Sequence, residues 1–219
     1  MADLPVDLPP DLAVRLAAVL DIEGKIPRAL DALEPLRERD VALVDGDRGL
    51  RAAQLADLGA RVHVVDSSGP DGYGLASASA DVLVACWSAF RGPEPTEMAE
   101  AERVVRPGGR LLVVHDYGRD DVSHLHDDAR DRPEYGLWSR RDGPFLRSGF
   151  KVRVVHCWWT FESVEDARVF LGDAFGDTGR RFAETLKRPR LSYNIAVYHR
   201  TVGNRTVGNR AVGDLDGDG

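Results

Sequence analysis

Cysteine is scarce. Cys86 and Cys157 are the only two in 219 residues, they stand far apart, and each lies inside an apolar run. That pattern excludes a disulfide framework and a CxxC metal site, and it points to buried free thiols in a reducing compartment. Long hydrophobic runs are missing as well. No stretch approaches the length of a bilayer span, and the N-terminus lacks the basic, then apolar, then small-residue order of a signal peptide, so no membrane association and a cytoplasmic location are expected. Runs of one charge are also absent. The 29 basic and 36 acidic residues give a net charge of −7 with no Lys/Arg cluster, which argues against a nucleic-acid partner. What remains is a chain with 43% hydrophobic content, enough for one substantial domain and too short for two comfortable ones.

The most informative stretch runs from Val41 to Asp66. A short apolar run (Val-Ala-Leu-Val) leads into Asp45-Gly46-Asp47-Arg48-Gly49; a helix-length segment closes at Gly59, and a second apolar run ends in Asp66. This is a β-α-β unit. Gly46 and Gly49 fall where the backbone must bend into a helix N-terminus, and Asp66, about twenty residues on, stands where a ribose hydroxyl pair is gripped in nucleotide-binding units. The loop is not a clean G-x-G-x-x-G, because Asp47 and Arg48 occupy positions that favour small residues.

Two amphipathic helices are predicted ahead of this unit, over Pro10 to Leu20 and Ile26 to Leu36. Val62 to Val65 reads as a central strand covered on both faces. The Ser/Gly/Ala-rich stretch from Ser67 to Ser79 has room for a loop but not for a helix plus a strand. Asp81 to Cys86 resumes as a buried strand, Thr96 to Val105 as an amphipathic helix, and Arg106-Pro107-Gly108-Gly109 stops that helix before the apolar strand Arg110 to His115. A charged segment follows, then a helix around Trp138 and Phe145, an aromatic strand from Phe150 to Trp159, helices over Val164 to Phe175 and Thr178 to Leu186, and a closing strand from Leu191 to His199. The repeated Thr-Val-Gly-Asn-Arg of residues 201 to 210 and the acidic ending cannot bury a core and read as a disordered tail. The domain plan is therefore N-terminal helices over 1–39, an α/β domain over 40–200 and a tail over 201–219. His124, His126, Asp127 and Asp128 sit in a charged loop that reads as solvated rather than metal-binding, and no metal site is expected.

The order of these pieces resembles the class I S-adenosylmethionine-dependent methyltransferases. The resemblance rests on the β-α-β ending in Asp66, the strand Asp81 to Cys86, and the run Glu102-Arg-Val-Val-Arg-Pro-Gly-Gly-Arg-Leu-Leu-Val-Val114, a helix ending in Arg-Pro-Gly-Gly followed directly by an apolar strand. It implies a doubly wound, mostly parallel Rossmann-like sheet with an antiparallel terminal strand, S-adenosylmethionine as cofactor, and Asp45, Gly46, Asp47, Gly49 and Asp66 at the cofactor. The helix and strand that the family places between Asp66 and Asp81 are missing here, and with them the acid that contacts adenine. Methyl transfer from a sulfonium needs alignment and exclusion of water more than side-chain chemistry. A positive sulfonium favours carboxylates and aromatic faces, which adds Trp87 to the pocket. His115, Asp116 or Tyr117 at the next strand end are the candidate bases for a protic acceptor. The favoured reading is a methyltransferase acting on a small-molecule acceptor, and the aromatic strand allows a homodimer without requiring one. A methyltransferase-like binding or regulatory protein that has lost the cofactor site is the alternative; a nicotinamide-dependent oxidoreductase would need a cleaner glycine fingerprint.

Overall fold

The computed structural model describes residues 4–46, 49–69, 72–125 and 135–203. Six strands, β1 (Asp40–Val44), β2 (Arg61–Val65), β3 (Ala80–Cys86), β4 (Val105–Asp116), β5 (Lys151–Thr160) and β6 (Arg190–Thr201), form one sheet in the order β2-β1-β3-β4-β6-β5. The first four are mutually parallel, and β6 runs antiparallel to both β4 and β5. This is the doubly wound α/β sheet with an antiparallel terminal strand that the sequence implies. Val41 to Val44, Val82 to Cys86 and Leu111 to Val114 are buried throughout, as parallel strands covered on both faces must be, and for that reason they read as unbroken apolar runs.

Successive side chains leave a strand on opposite faces. Val41 and Leu43 join a core with α1 (Pro10–Val19), α2 (Lys25–Leu33), α3 (Leu50–Asp57) and the long helix α7 (Val164–Glu184), whereas Ala42 and Val44 join a second core with α4 (Pro95–Val104) and the short helices α5 (Tyr135–Trp138) and α6 (Pro144–Arg147). The two N-terminal helices thus share a core with the sheet. Helix α2 is held at its start by Asp21, whose carboxylate accepts from the Lys25 and Ile26 backbone N–H groups at 3.0 and 2.6 Å, and α7 by the Ser163 hydroxyl accepting from Asp166 N at 3.0 Å. All three bonds satisfy orphan donors of a first helical turn.

Several local expectations change. The strand β2, expected to be central and covered on both sides, is the edge of the sheet, and Val64 is 51% exposed. The cause is the shortened segment after it: among the described residues 67–69 and 72–79 there is no strand or helix to extend the sheet past β2. The helix expected around Trp138 and Phe145 is broken into α5 and α6 with Gly143 between them, whereas the break expected between the helices over 164–175 and 178–186 is present inside α7 at Gly176, whose φ of 57° and ψ of −132° are not helical. The Arg-Pro-Gly-Gly segment does more than stop α4. It lies inside β4 as a bulge, where β3 advances two residues (80 to 82) while β4 advances five (105 to 110). Gly109 is required there, because a Cβ would fall against the Asp81 carbonyl oxygen and 2.6 Å from Val105 Cγ1. The repeat tail assigned to 201–219 lies outside the described residues from 204 onward.

Candidate cofactor site at the carboxyl edge of the sheet

Strands β1, β2, β3 and β4 are parallel and so end at one edge, where open α/β sheets bind ligands. The residues that follow them are Asp45, Asp66, Trp87 and Tyr117. Asp45 turns the chain with a φ of 53°. Its backbone N–H donates to Val65 O at 2.7 Å, and its carboxylate accepts from both the N–H and the hydroxyl of Ser67, each at 2.7 Å. Asp45 therefore ties the end of β1 to the chain leaving β2. Asp66 is exposed, and its Oδ1 accepts from the N–H and the hydroxyl of Ser68, each at 2.7 Å. These bonds, the hydroxyl's first, hold its carboxyl below the usual range, so it is anionic at neutral pH. Among the described residues, the other Asp66 oxygen has no hydrogen-bond partner.

Gly46 is buried, and Gly49 opens α3 with a φ of 75°, a left-handed conformation that suits glycine. A Cβ at Gly49 would meet nothing within 4 Å among the described residues. Asp47 and Arg48, between them, lie outside the described residues.

Trp87 is buried with a φ of 52°. Its indole N–H donates to Asp116 Oδ1 at 2.8 Å, the Tyr193 hydroxyl donates to the same oxygen, and the two rings stack with centroids 6.4 Å apart. The guanidinium of Arg51 lies 5.2 Å over the indole. His115, one residue before Asp116, faces the opposite core: its Nε2 donates to Phe90 O at 2.8 Å and its ring sits 4.7 Å from that of Trp138. Strand alternation thus joins Asp116 to Trp87 and separates both from His115. Tyr117 is half-buried beyond the strand end, with the Arg119 guanidinium 5.8 Å from its ring.

Three residues near this edge carry no motif. Tyr73 is 6% exposed, and its enclosed hydroxyl has no hydrogen-bond partner among the described residues. Burial first, then the charges of Glu97 and Asp45, push that phenol up. Glu97 accepts from Phe90 N at 2.7 Å, and burial raises its carboxyl above the usual range. Arg51 is 2% exposed; its Nη1 donates to Gln54 Oε1 at 2.6 Å, and among the described residues Nε and Nη2 have no hydrogen-bond partner. Tyr73 was hidden because it interrupts a Ser/Gly loop that has no periodicity, and Glu97 because an acid in a first helical turn is ordinary. Arg51 did leave a trace: a cation in the first turn opposes the helix dipole. Among the described residues no cluster of His, Cys, Asp and Glu is placed to hold a metal, and no helix is long and apolar enough to cross a membrane. His126, Asp127 and Asp128 lie outside the described residues.

No protein-family model matches the sequence, and no curated protein matches it significantly. Solved structures do. A protein from Anaeromyxobacter dehalogenans, proposed to be a type II methyltransferase, superposes with a TM-score of 0.53 at 22% identity, covering 82% of this chain and 96% of that one. An S-adenosylmethionine-dependent methyltransferase from Aquifex aeolicus gives a TM-score of 0.49 at 15% identity over 89% of this chain and 98% of that one. The fold rests on the first of these together with the strand order and the acids that end β1 and β2. The chain has the class I S-adenosylmethionine-dependent methyltransferase fold, cut back at the β2 edge of its sheet.

Proposed function

We propose that this protein transfers a methyl group from S-adenosylmethionine to a small-molecule acceptor. The observation that carries the reading is Asp66, an anionic carboxylate at the end of β2 with one oxygen uncommitted among the described residues, next to the Ser67 that Asp45 holds from the end of β1. A ribose offers two hydroxyl donors, and a carboxylate with a free oxygen is their natural acceptor.

The surrounding residues fit the rest of such a cofactor. The enclosed Tyr73 hydroxyl has no partner among the described residues, and the acids Asp45 and Glu97 give the α4 side of the edge a negative character that suits a sulfonium or ammonium group. The bound cofactor would supply an already activated methyl group. The protein then has to orient the acceptor and exclude water. Of the three candidate bases, His115 and Asp116 are committed to hydrogen bonds within the two cores, and Tyr117 alone stands past the strand end. We infer an acceptor that is nucleophilic at neutral pH or whose proton leaves toward Tyr117.

Calorimetric titration with S-adenosylmethionine and S-adenosylhomocysteine, repeated on Asp66→Ala, tests the assignment. Micromolar binding that weakens tenfold or more in the variant is the expected result. Absence of binding at millimolar ligand overturns it.

A further inference from the structure

The strand β5 is the last of the sheet, and among the described residues its outer edge is only partly covered. The chain between α1 and α2 takes the end nearest Thr160: Leu20 bridges Trp159, the Asp21 N–H donates to Trp158 O at 2.9 Å, and Lys25 Nζ donates to His156 O at 3.0 Å. Backbone groups two residues apart on a strand point to the same side. The N–H and C=O of Val152 and Val154 therefore face outward too, and among the described residues no backbone group pairs with them there. An unpaired stretch of this kind is a template for an added strand.

The same edge carries a basic groove. Lys25, Arg28 and Ala29 of α2 and residues 153–156 of β5 line a groove of about 360 Å³, with no acid among them. Lys25 is committed, to Glu23 at 2.6 Å and to the His156 carbonyl. Arg28 and Arg153 are exposed, and among the described residues their guanidiniums make no hydrogen bond or ion pair. Strand alternation puts Lys151 and Arg153 on the face from which Cys157 and Trp159 join the core that contains α2. Two free guanidiniums thus reach one side of an open strand edge from two elements, in a chain whose net charge is −7.

We propose that this edge binds an extended acidic segment of a partner protein. The segment adds beside β5, its backbone paired with Val152 and Val154 and its carboxylates, at alternate positions, on Arg28 and Arg153. A guanidinium fork holds a carboxylate by two parallel bonds. Charge argues against a second copy of the chain as the occupant. Two β5 edges paired antiparallel through residues 152–154 bring Lys151 and Arg153 of both copies together, and like charges across a ladder are destabilising. A phosphodiester backbone would leave the outward backbone groups of β5 unused. The proposal does not rest on the methyltransferase reading, since Asp66 ends β2 at the opposite edge of the sheet.

Fluorescence anisotropy of a labelled hexapeptide of alternating aspartate and valine, titrated with the full chain, tests the site. A Kd of about 100 μM or below is expected. It should weaken tenfold or more in the double variant Arg28→Gln, Arg153→Gln, whose changes fall on exposed side chains. The same loss is expected for the fully N-methylated peptide, which keeps the charges and cannot pair as a strand, and for a peptide with lysine in place of aspartate.

No binding of the aspartate peptide at millimolar concentration overturns the proposal. Equal affinity of the N-methylated peptide, or unchanged affinity in the double variant, does so as well. Three further results would overturn the choice of occupant. A homodimer in sedimentation velocity that Val154→Pro abolishes would put a second copy at the edge. A single-stranded oligonucleotide that binds more tightly than the peptide and displaces it would make the partner a nucleic acid. A tenfold gain in peptide affinity on combining Asp214→Asn, Asp216→Asn and Asp218→Asn would make the chain's own acidic ending the occupant.

Discussion

Asp45 holds Ser67 by two bonds, one to the backbone N–H and one to the hydroxyl, both at 2.7 Å. The acid at the end of β1 is therefore the clamp that fixes where the chain goes after β2, and it sets the position of Asp66 in between. Both its oxygens are taken up by Ser67.

Replacing Asp45 should consequently act on stability and binding together. Asp45→Ala is expected to cost about 1–3 kcal/mol, the range for losing hydrogen bonds to a charged group, and Asp45→Asn about half of that. Chemical denaturation gives the first effect and titration with S-adenosylhomocysteine the second. Wild-type stability in Asp45→Ala would show that the clamp is dispensable.

Asp116 is placed to support the core. Its Oδ1 accepts from both the Trp87 indole and the Tyr193 hydroxyl inside the core formed by α1, α2, α3 and α7. Asp116→Leu would strand two buried donors and should destabilise by about 3 kcal/mol or more, while Tyr193→Phe removes one donor and should cost about 1–2 kcal/mol. Trp fluorescence during urea unfolding measures both. An Asp116→Leu protein that is fully stable and has lost methyl transfer would instead make Asp116 a catalytic residue.

Glu97 gives a pH dependence of defined sign. Burial raises its carboxyl above the ordinary value of 4.5, so the folded state binds the proton more tightly than the unfolded chain. Its favourable contribution is present below about pH 4.5 and is lost as pH rises through the folded value. Glu97→Gln keeps an oxygen that can accept from Phe90 N and removes the titration. The difference in Tm, variant minus wild type, should therefore increase as the pH rises above about 4.5 and level off once the folded carboxyl has ionised. A difference that is flat across this range would show that Glu97 titrates normally.

Two glycines should respond differently to the same substitution. A Cβ at Gly109 meets the Asp81 carbonyl oxygen and, at 2.6 Å, Val105 Cγ1 in the β4 bulge. Gly109→Ala is expected to cost about 1–3 kcal/mol through forced backbone shifts. Gly49→Ala meets nothing within 4 Å among the described residues and should cost only the left-handed backbone term, about 1 kcal/mol. Equal losses in paired denaturation curves would contradict this account of the bulge.

The sequence by itself determined the parts governed by local periodicity and by the order of elements. The apolar runs in β1, β3 and β4 had to be doubly covered strands because they contain no polar alternate positions, and the short stretch from Ser67 to Ser79 had no room for another helix and strand. The acids Asp45 and Asp66 were legible because a β-α-β unit puts the ends of its strands at one edge. Other features depend on contacts between segments distant in the chain, which no local pattern encodes. Only the tertiary structure made β2 an edge, because coverage depends on what lies beside a strand. Only strand alternation, fixed once β4 paired with β3 and β6, sent His115 into one core and Asp116 to Trp87 and Tyr193 in the other. The burial of Arg51 over the Trp87 ring was decided in the same way, since the two meet only when α3 packs against the end of β3.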